Sequence, residues 1–406
     1  MPVGYLMIVA LVAGATLTAL TPMRRPPVLA ALSFRASVAL NELPFVAVAF
    51  LLASTALAAG EGDLDSPSGW VGLGLATATT GGLAAVIWRG VRAQRVLDRA
   101  LDDDLGPAWR HTIDTGTAAR LRHHLPWARI LLRPFFTRRR DVERVANLSY
   151  GDAGRRNNLD LYRLRSRPNG APMLIHLHGG AYVGGRKNRQ SLPLIYRLAS
   201  RGWVCVSANY RLRPAAGFPE HLVDAKKVIA WVREHAHEYG GDPTVLFLTG
   251  SSAGAHLAAL AALTPDDPTF QPGFEHADTA VTAAVCLNGY YDTYYDNPAT
   301  PSSPLSYLRP DAPPFFVAHG DHDTVVTVEH ARHFVDNLRR TSINPVVYAE
   351  LPGAQHAFDL FHSPRFEAVI NAIETFAAWA KAPIKTQEQD HQNAAGACSD
   401  RRQEGG

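Results

Sequence analysis

The chain has 406 residues, 47% of them hydrophobic, with a formal net charge of +3 at neutral pH. That length is a prior for two or three domains, and that apolar share excludes a wholly disordered chain. Its three cysteines, Cys205, Cys286 and Cys398, exclude a disulfide framework.

The front of the chain is apolar and the remainder has an ordinary soluble composition. Val3 to Leu20, Leu43 to Gly60 and Gly69 to Ile87 carry no Asp, Glu, Lys or Arg. Each approaches the roughly 20 residues that cross a bilayer. Trp70 and Trp88 edge the third stretch as an aromatic belt would. Residues 1–90 are thus expected to form a transmembrane region with spans near 3–20, 43–60 and 69–88. Two spans with a re-entrant segment, or a signal peptide in place of the first, are the alternatives; the missing basic n-region argues against a signal peptide. Arg24, Arg25 and Arg35 lie before the second span, Glu61, Asp63 and Asp65 after it, and Arg89, Arg92, Arg95 and Arg99 after the third. The positive-inside rule then predicts a multi-pass protein of the cell membrane with the C-terminal domain in the cytoplasm. Gly72, Gly74, Gly81 and Gly82 read as small residues for helix packing.

From Arg89 to Arg140 twelve arginines face five acids, with Trp109, Trp127, Phe135 and Phe136 interleaved. Residues 91–141 are expected to be a basic juxtamembrane connector or lid helices. Nucleic acid is not an expected partner, because it predicts a soluble basic domain. Over 142–382 apolar strands alternate with amphipathic helices. The strands fall near 144–150, 159–164, 173–177, 204–208, 245–249, 280–287, 315–318 and 346–351. This predicts an α/β domain with a mostly parallel sheet of about eight strands and helices on both faces. Residues 383–406 are polar and aperiodic, and are expected to be a disordered tail.

One segment carries the chemistry. The apolar run Val245–Thr249 leads into Gly250-Ser251-Ser252-Ala253-Gly254, followed by an Ala/Leu-rich helix. Strand, Gly-x-Ser-x-Gly turn and helix form the context of a nucleophile elbow, with Ser252 the nucleophile. A serine hydroxyl needs a histidine base and a carboxylate to orient it, in the chain order Ser, Asp, His. Asp323, in the loop after Phe315–Ala318, and His356, in the Gly-containing loop after Val346–Leu351, fit that order. Asp321 competes for the acid, and His319, His322, His330, His333 and His362 for the base. Upstream, the strand Met173–Leu177 ends in His178-Gly179-Gly180. Oxyanion donors are expected from the Gly179, Gly180 and Ala253 amides. Tyr182, Tyr290, Tyr291 and Phe358 flank these loops as pocket candidates. Gly184-Gly185-Arg186-Lys187 lacks the spacing of a phosphate loop.

From about Val142 to Ala380 these motifs resemble the α/β-hydrolase esterases related to hormone-sensitive lipase and kynurenine formamidase, the BD-FAE-like carboxylesterases of bacteria. Carrying the resemblance are Asn147–Asp152, Asn158–Tyr162, His178-Gly179-Gly180, Asn209–Leu212 with Pro214, Phe218-Pro219, Asp224, Trp231, Gly250–Gly254, His319-Gly320 with Asp323, and His356. Two positions depart from many of those relatives: Ala181 replaces a third glycine and Ser251 an acidic residue. The resemblance implies carboxylic-ester hydrolysis through an acyl-enzyme, without metal or organic cofactor. The expected substrate is a small-molecule or lipid acyl ester. An acyltransferase or amidase using the same residues, or a non-catalytic ligand-binding module, are the alternatives.

Overall fold

The computed structural model describes residues 3–121, 124–167, 169–296 and 300–382. The tail expected over 383–406 lies outside them. Four long helices come first: α1 (Val3–Leu20), α2 (Pro27–Glu42), α3 (Pro44–Gly60) and α4 (Pro67–Leu105). Short α5 (Thr115–Ala118) and α6 (Trp127–Leu132) follow. The α/β domain then runs β1 (Val142–Ser149), β2 (Asn158–Leu164), β3 (Ala171–Leu177), α7 (Leu192–Ala199), β4 (Val204–Ala208), α8 (Glu220–His235), β5 (Gly241–Ser251), α9 (Ala253–Leu263), β6 (Ala283–Leu287), β7 (Phe315–Gly320), α10 (Val328–Thr341), β8 (Val346–Leu351) and α11 (Pro364–Ala380).

The eight strands form one sheet in the order β1-β2-β4-β3-β5-β6-β7-β8. β1, β2 and β4 pair antiparallel, and every pair from β4 to β8 is parallel. Buried strands read as continuous apolar runs because successive side chains enter opposite cores. On β5, Leu246 and Leu248 join the core beneath α8, α9 and α10, whereas Phe247 joins the one beneath α7, α11 and the end of α4. β7 divides likewise, with Phe315 and Val317 on one face and Phe316 and Ala318 on the other. The parallel register aligns Leu177 with Gly250 and Ser251 with Leu287. It also pairs Gly320 with Leu351, so the loops after β3, β5, β7 and β8 leave from one edge. Open parallel sheets bind ligands at that carboxyl edge.

The N-terminal region differs from expectation in two places. First, α4 does not stop near residue 88 but continues as one helix for 39 residues. Its second half buries Ala93, Leu97, Ala100 and Leu101 in the core shared with α11 and β8. The expected connector thus begins inside a helix, and that part belongs to the α/β core. Second, residues 27–42, which lie between the first two expected spans, form a helix, α2. By length and composition α1 and α4 each suffice to cross a membrane, while α2 and α3 do so only as a pair bent by 88°. Gly72 and Gly82 allow α1 to approach α4: a Cβ there would lie 2.7 Å from the Tyr5 ring and 2.8 Å from Thr16 Cγ2.

Candidate active site

The turn after β5 sets the site. Ser252 adopts φ 55° and ψ −119°, a region costing a non-glycine residue about 1–3 kcal/mol. Its surroundings hold it there. The Ser252 amide donates to Leu287 O at 2.9 Å, and its carbonyl accepts from the Ala255 and His256 amides at 2.9 and 3.1 Å. Neither flanking glycine has room for a side chain: a Cβ on Gly250 would lie 2.1 Å from Gly254 O, and one on Gly254 2.0 Å from Leu177 O. The spacing Gly-x-Ser-x-Gly is thus a packing requirement of the turn.

Three sequence-predicted residues meet here. Ser252 Oγ lies 2.9 Å from His356 Nε2, and His356 Nδ1 lies 2.6 Å from Asp323 Oδ2. The other Asp323 oxygen accepts from the Val325 and Val326 amides at 2.8 Å each. Oδ2 is also 3.3 Å from His319 Nε2, which itself donates to Val326 O. Burial alone would raise the Asp323 pKa, but the histidine charges and hydrogen bonds hold it well below the ordinary carboxylate range. Burial would lower the His356 pKa, but the Asp323 charge and hydrogen bond, with the charge of Asp359 beyond, leave it above the ordinary histidine value. Asp321 is turned elsewhere and accepts from the Gly353 amide at 2.6 Å. The other candidate bases are also apart from Ser252: His322 Nδ1 donates to Ala19 O, and His362 pairs with Glu367. His330 lies beside Tyr290, and His333 beside Asn337.

The turn after β3 lies against the elbow. Gly179 is in contact with it, since a Cβ there would be 2.8 Å from Ser252 Cβ. Its amide, expected as an oxyanion donor, instead donates to Gln190 Oε1. Next come Gly180, Ala181 and Tyr182, all at positive φ (123°, 50° and 62°). Among the described residues the Gly180, Ala181 and Ala253 amides make no hydrogen bond. Asp160 braces this loop, receiving Lys187, Arg144 and the Asn147 amide.

Three of the four pocket candidates, Tyr182, Phe358 and Tyr291, sit in the core. Tyr182 is 1% exposed, stacks on His221 at 4.5 Å and hydrogen-bonds His256 Nδ1 at 2.7 Å. Its neighbour His256 is held neutral, its pKa pushed down to about 3 by burial. Phe358 is fully buried beside Phe366. Both flank motif loops in sequence, but aromatic area is most stabilising inside the core. Tyr291 stacks on Phe334 in the core, and Tyr290 is half-buried beside His330.

Sequence reasoning missed four groups. Gln355 Oε1 accepts from the Thr324 and His356 amides, tying the acid loop to the base loop. Gln190 holds Gly179. Asp359 accepts from Ser251 and Ser191 at 2.6 Å each, its second oxygen lacking a partner among the described residues. Ser251, where many of the relatives named above carry an acid, thus meets a carboxylate from the loop carrying His356. Phe34 of α2 is the fourth, its ring 6.2 Å from that of His356. Only Asp359 had a signal, a buried acid three residues beyond the base.

The sheet order, the strained elbow and the functional loops at one edge define an α/β-hydrolase fold. The BD-FAE family description matches residues 159–295. A probable carboxylic ester hydrolase, LipM of Mycobacterium tuberculosis, is 39% identical over 93% of this chain and 93% of its own. Such coverage reaches into the N-terminal helices. Esterase LipQ of the same organism is 41% identical over 71% of this chain and 75% of its own. Among solved structures, the butyrate-bound esterase Est2 of Thermogutta terrifontis superposes with a TM-score of 0.50 at 25% identity, covering 58% of this chain and 91% of that one. The chain belongs to this family of BD-FAE-like carboxylic ester hydrolases, and it is an esterase.

Proposed function

We propose that the chain is a membrane-anchored serine esterase acting through Ser252, His356 and Asp323. The observation that carries this is the unbroken hydrogen-bond line from Ser252 Oγ through His356 to Asp323. His356 Nε2 takes the Ser252 proton as Oγ attacks the acyl carbonyl, while Asp323 keeps the other ring proton on Nδ1. The Gly180 and Ala253 amides, with Ala181 as a further donor, receive the oxyanion; Gly179 joins them if substrate displaces Gln190. The tetrahedral adduct collapses, the alcohol departs with the proton from His356, and the acyl group stays on Ser252. Water, deprotonated by His356, then attacks the acyl-enzyme and releases the acid.

Residues 1–90 serve as the membrane anchor, with spans on α1, α3 and the first half of α4, and with the hydrolase domain (142–382) in the cytoplasm. The lack of charge in these spans and the arginines after the third support this reading. The substrate is a small-molecule or lipid acyl ester. The butyrate in the Est2 structure supports a carboxylate-sized acyl site in this fold.

The test is hydrolysis of nitrophenyl esters from acetate to palmitate by detergent-solubilised protein and its Ser252→Ala variant. Hydrolysis by wild type and its loss in the variant are expected. Equal activity in both would sink the serine mechanism.

A further inference from the structure

Helix α2 is built inside out. The side it turns inward carries small and polar residues: Ala30, Ser33, Ser37, Asn41 and Glu42 are buried. Its outward side carries Val28 at 69%, Leu29 at 37% and Leu32 at 51% exposure, with exposed alanines and a single exposed charge, Arg35. A surface helix of a soluble protein is patterned the other way, with its apolar stripe toward the core. The inverted pattern is stable where the surrounding medium is hydrocarbon. The helix also makes a near right angle with α3, the neighbouring apolar helix, as a segment lying along the bilayer would.

The inward side of α2 sits on the catalytic loops. Thr324, next to Asp323, donates its hydroxyl to Ala30 O at 3.1 Å. Phe34 meets the His356 ring edge-on at 71°. At the far end Glu42 forms a buried ion pair with Arg365 and accepts from Ser363 at 2.6 Å. α2 is therefore fixed to the loops of Asp323 and His356, and it packs against α1 and α3, which themselves expose apolar residues such as Leu11 and Leu52. The segment at α6, whose Trp127 meets Phe45 of α3, also exposes Leu132 (77%) and Phe136 (70%), flanked in sequence by Arg129, Arg133 and Arg138. The site beneath is nearly closed, with Ser252 7% and His356 6% exposed.

We propose that this esterase takes its substrate from the bilayer: α2 is the wall between lipid and active site, Phe34 is a specificity-determining residue over His356, and the substrate is an amphiphilic ester whose acyl chain remains in the membrane. A lipid-facing wall explains why apolar residues lie outside and polar ones inside. It also gives a closed site an entrance that an acyl chain reaches without crossing water. The proposal rests on the membrane-anchored esterase reading above and adds where the substrate comes from.

The experiment uses the full-length protein in nanodiscs of phosphatidylcholine and phosphatidylglycerol, with two probes. One is a fluorogenic long-chain diacylglycerol ester embedded in the bilayer; the other is water-soluble nitrophenyl acetate. Wild type is compared with Leu29→Glu/Leu32→Glu and with Phe34→Ala. The double variant is expected to lose at least about tenfold on the embedded ester and to keep acetate turnover, because charge on that face opposes contact with lipid. Phe34→Ala is expected to change the ratio of embedded-ester to acetate turnover by a similar factor. Independently of activity, an environment-sensitive dye on Leu32→Cys is expected to be quenched by lipid-borne and not by aqueous quenchers. Activity on both probes with unchanged ratios, or a dye at position 32 reached only by the aqueous quencher, overturns the inference and leaves the esterase reading standing. Hydrolysis of neither probe in a Ser252-dependent way overturns both.

Discussion

Replacing Asp323 with asparagine tests the proposed acid more sharply than deleting it, because the two side chains share a shape. Asp323 uses both oxygens as acceptors. One receives the Val325 and Val326 amides; the other receives His356 Nδ1–H and faces His319 Nε2–H. Asparagine has one acceptor oxygen and one donor NH2. If its oxygen stays with the backbone amides, its NH2 confronts His356 Nδ1. The imidazole must then carry its proton on Nε2, facing Ser252, and can no longer accept the serine proton. If the side chain flips, the buried Val326 amide loses its acceptor at about 1–3 kcal/mol, and the partly buried Val325 amide loses its own at a smaller cost. The flipped form is disfavoured by at least about 1–3 kcal/mol on that account, so the wrong tautomer dominates. The corresponding change in serine proteases lowers kcat by about 10⁴-fold, and a loss of that order is expected here. Asp321→Asn is the control: its contact is to the Gly353 amide, which an asparagine oxygen also accepts, so turnover should stay near wild type. The assay is kcat on nitrophenyl butyrate in detergent, with thermal unfolding as a check of folding. An Asp323→Asn enzyme within about tenfold of wild type, or a larger loss in Asp321→Asn, would refute the reasoning.

Three further outcomes follow from the same geometry. His356 must be neutral to act as base, and its pKa is raised, so the acid limb of kcat/KM should lie above the ordinary histidine value of about 6.5. Asp359→Asn keeps an acceptor for Ser251 and Ser191 but removes a negative charge, which should move that limb to lower pH; an unmoved limb would show that Asp359 does not act on His356 electrostatically. Buried His176 and His256 are both held down to about 3, and His178 to about 4, chiefly by burial. As pH falls from about 6.5 toward those values the unfolded chain binds protons that the native one refuses, so each destabilises the fold by about 1.4 kcal/mol per pH unit. His356, raised instead, contributes in the opposite sense. Unfolding midpoints should therefore drop between pH 7 and pH 5, and His256→Gln should flatten that slope; a midpoint independent of pH would count against neutral buried histidines. Finally, Glu42→Gln leaves the Arg365 guanidinium buried with its charge unpaired, which costs about 3–5 kcal/mol, while Glu42→Leu with Arg365→Met should recover most of it. Differential scanning of the three proteins in one detergent reads this directly, and equal midpoints would mean that the pair is solvated.

The hydrolase half was legible because its signals are local. Strands such as Leu246-Phe247-Leu248 are bounded by turn residues, and the elbow motif sits between a strand and a helix. The order Ser252, Asp323, His356 is also the order in which β5, β7 and β8 bring those positions to one edge. The remainder was hidden for physical reasons. Ala93, Leu97, Ala100 and Leu101 form an apolar stripe inside an arginine-rich stretch, so charge density masked the helical period that carries α4 into the core. α2 was hidden because Arg24 and Arg25 precede it and Arg35 lies within it, and because no sequence signal says which of its faces is turned inward. Tyr182 and Phe358 flank motif loops in sequence, yet which side of a turn an aromatic faces depends on partners far along the chain, here His221 and Phe366. The same holds for Gly179, whose amide is claimed by Gln190 eleven residues away.

These hidden parts share a consequence for how the molecule is divided. A cut near residue 90, which composition suggests, would fall inside α4 and remove half of a helix whose C-terminal part fills the core under α11 and β8. It would also strip α2 from the loops of Asp323 and His356, leaving Arg365 without Glu42 and the Asn41 carbonyl. The N-terminal helices and the hydrolase sheet are joined by a continuous helix, a buried ion pair and the contact of Phe34 with His356. Under the proposal that α2 lies along the bilayer, its seating in lipid is tied to the loops of Asp323 and His356. A shift of α2 would then disturb its contacts with Thr324 and with the His356 ring.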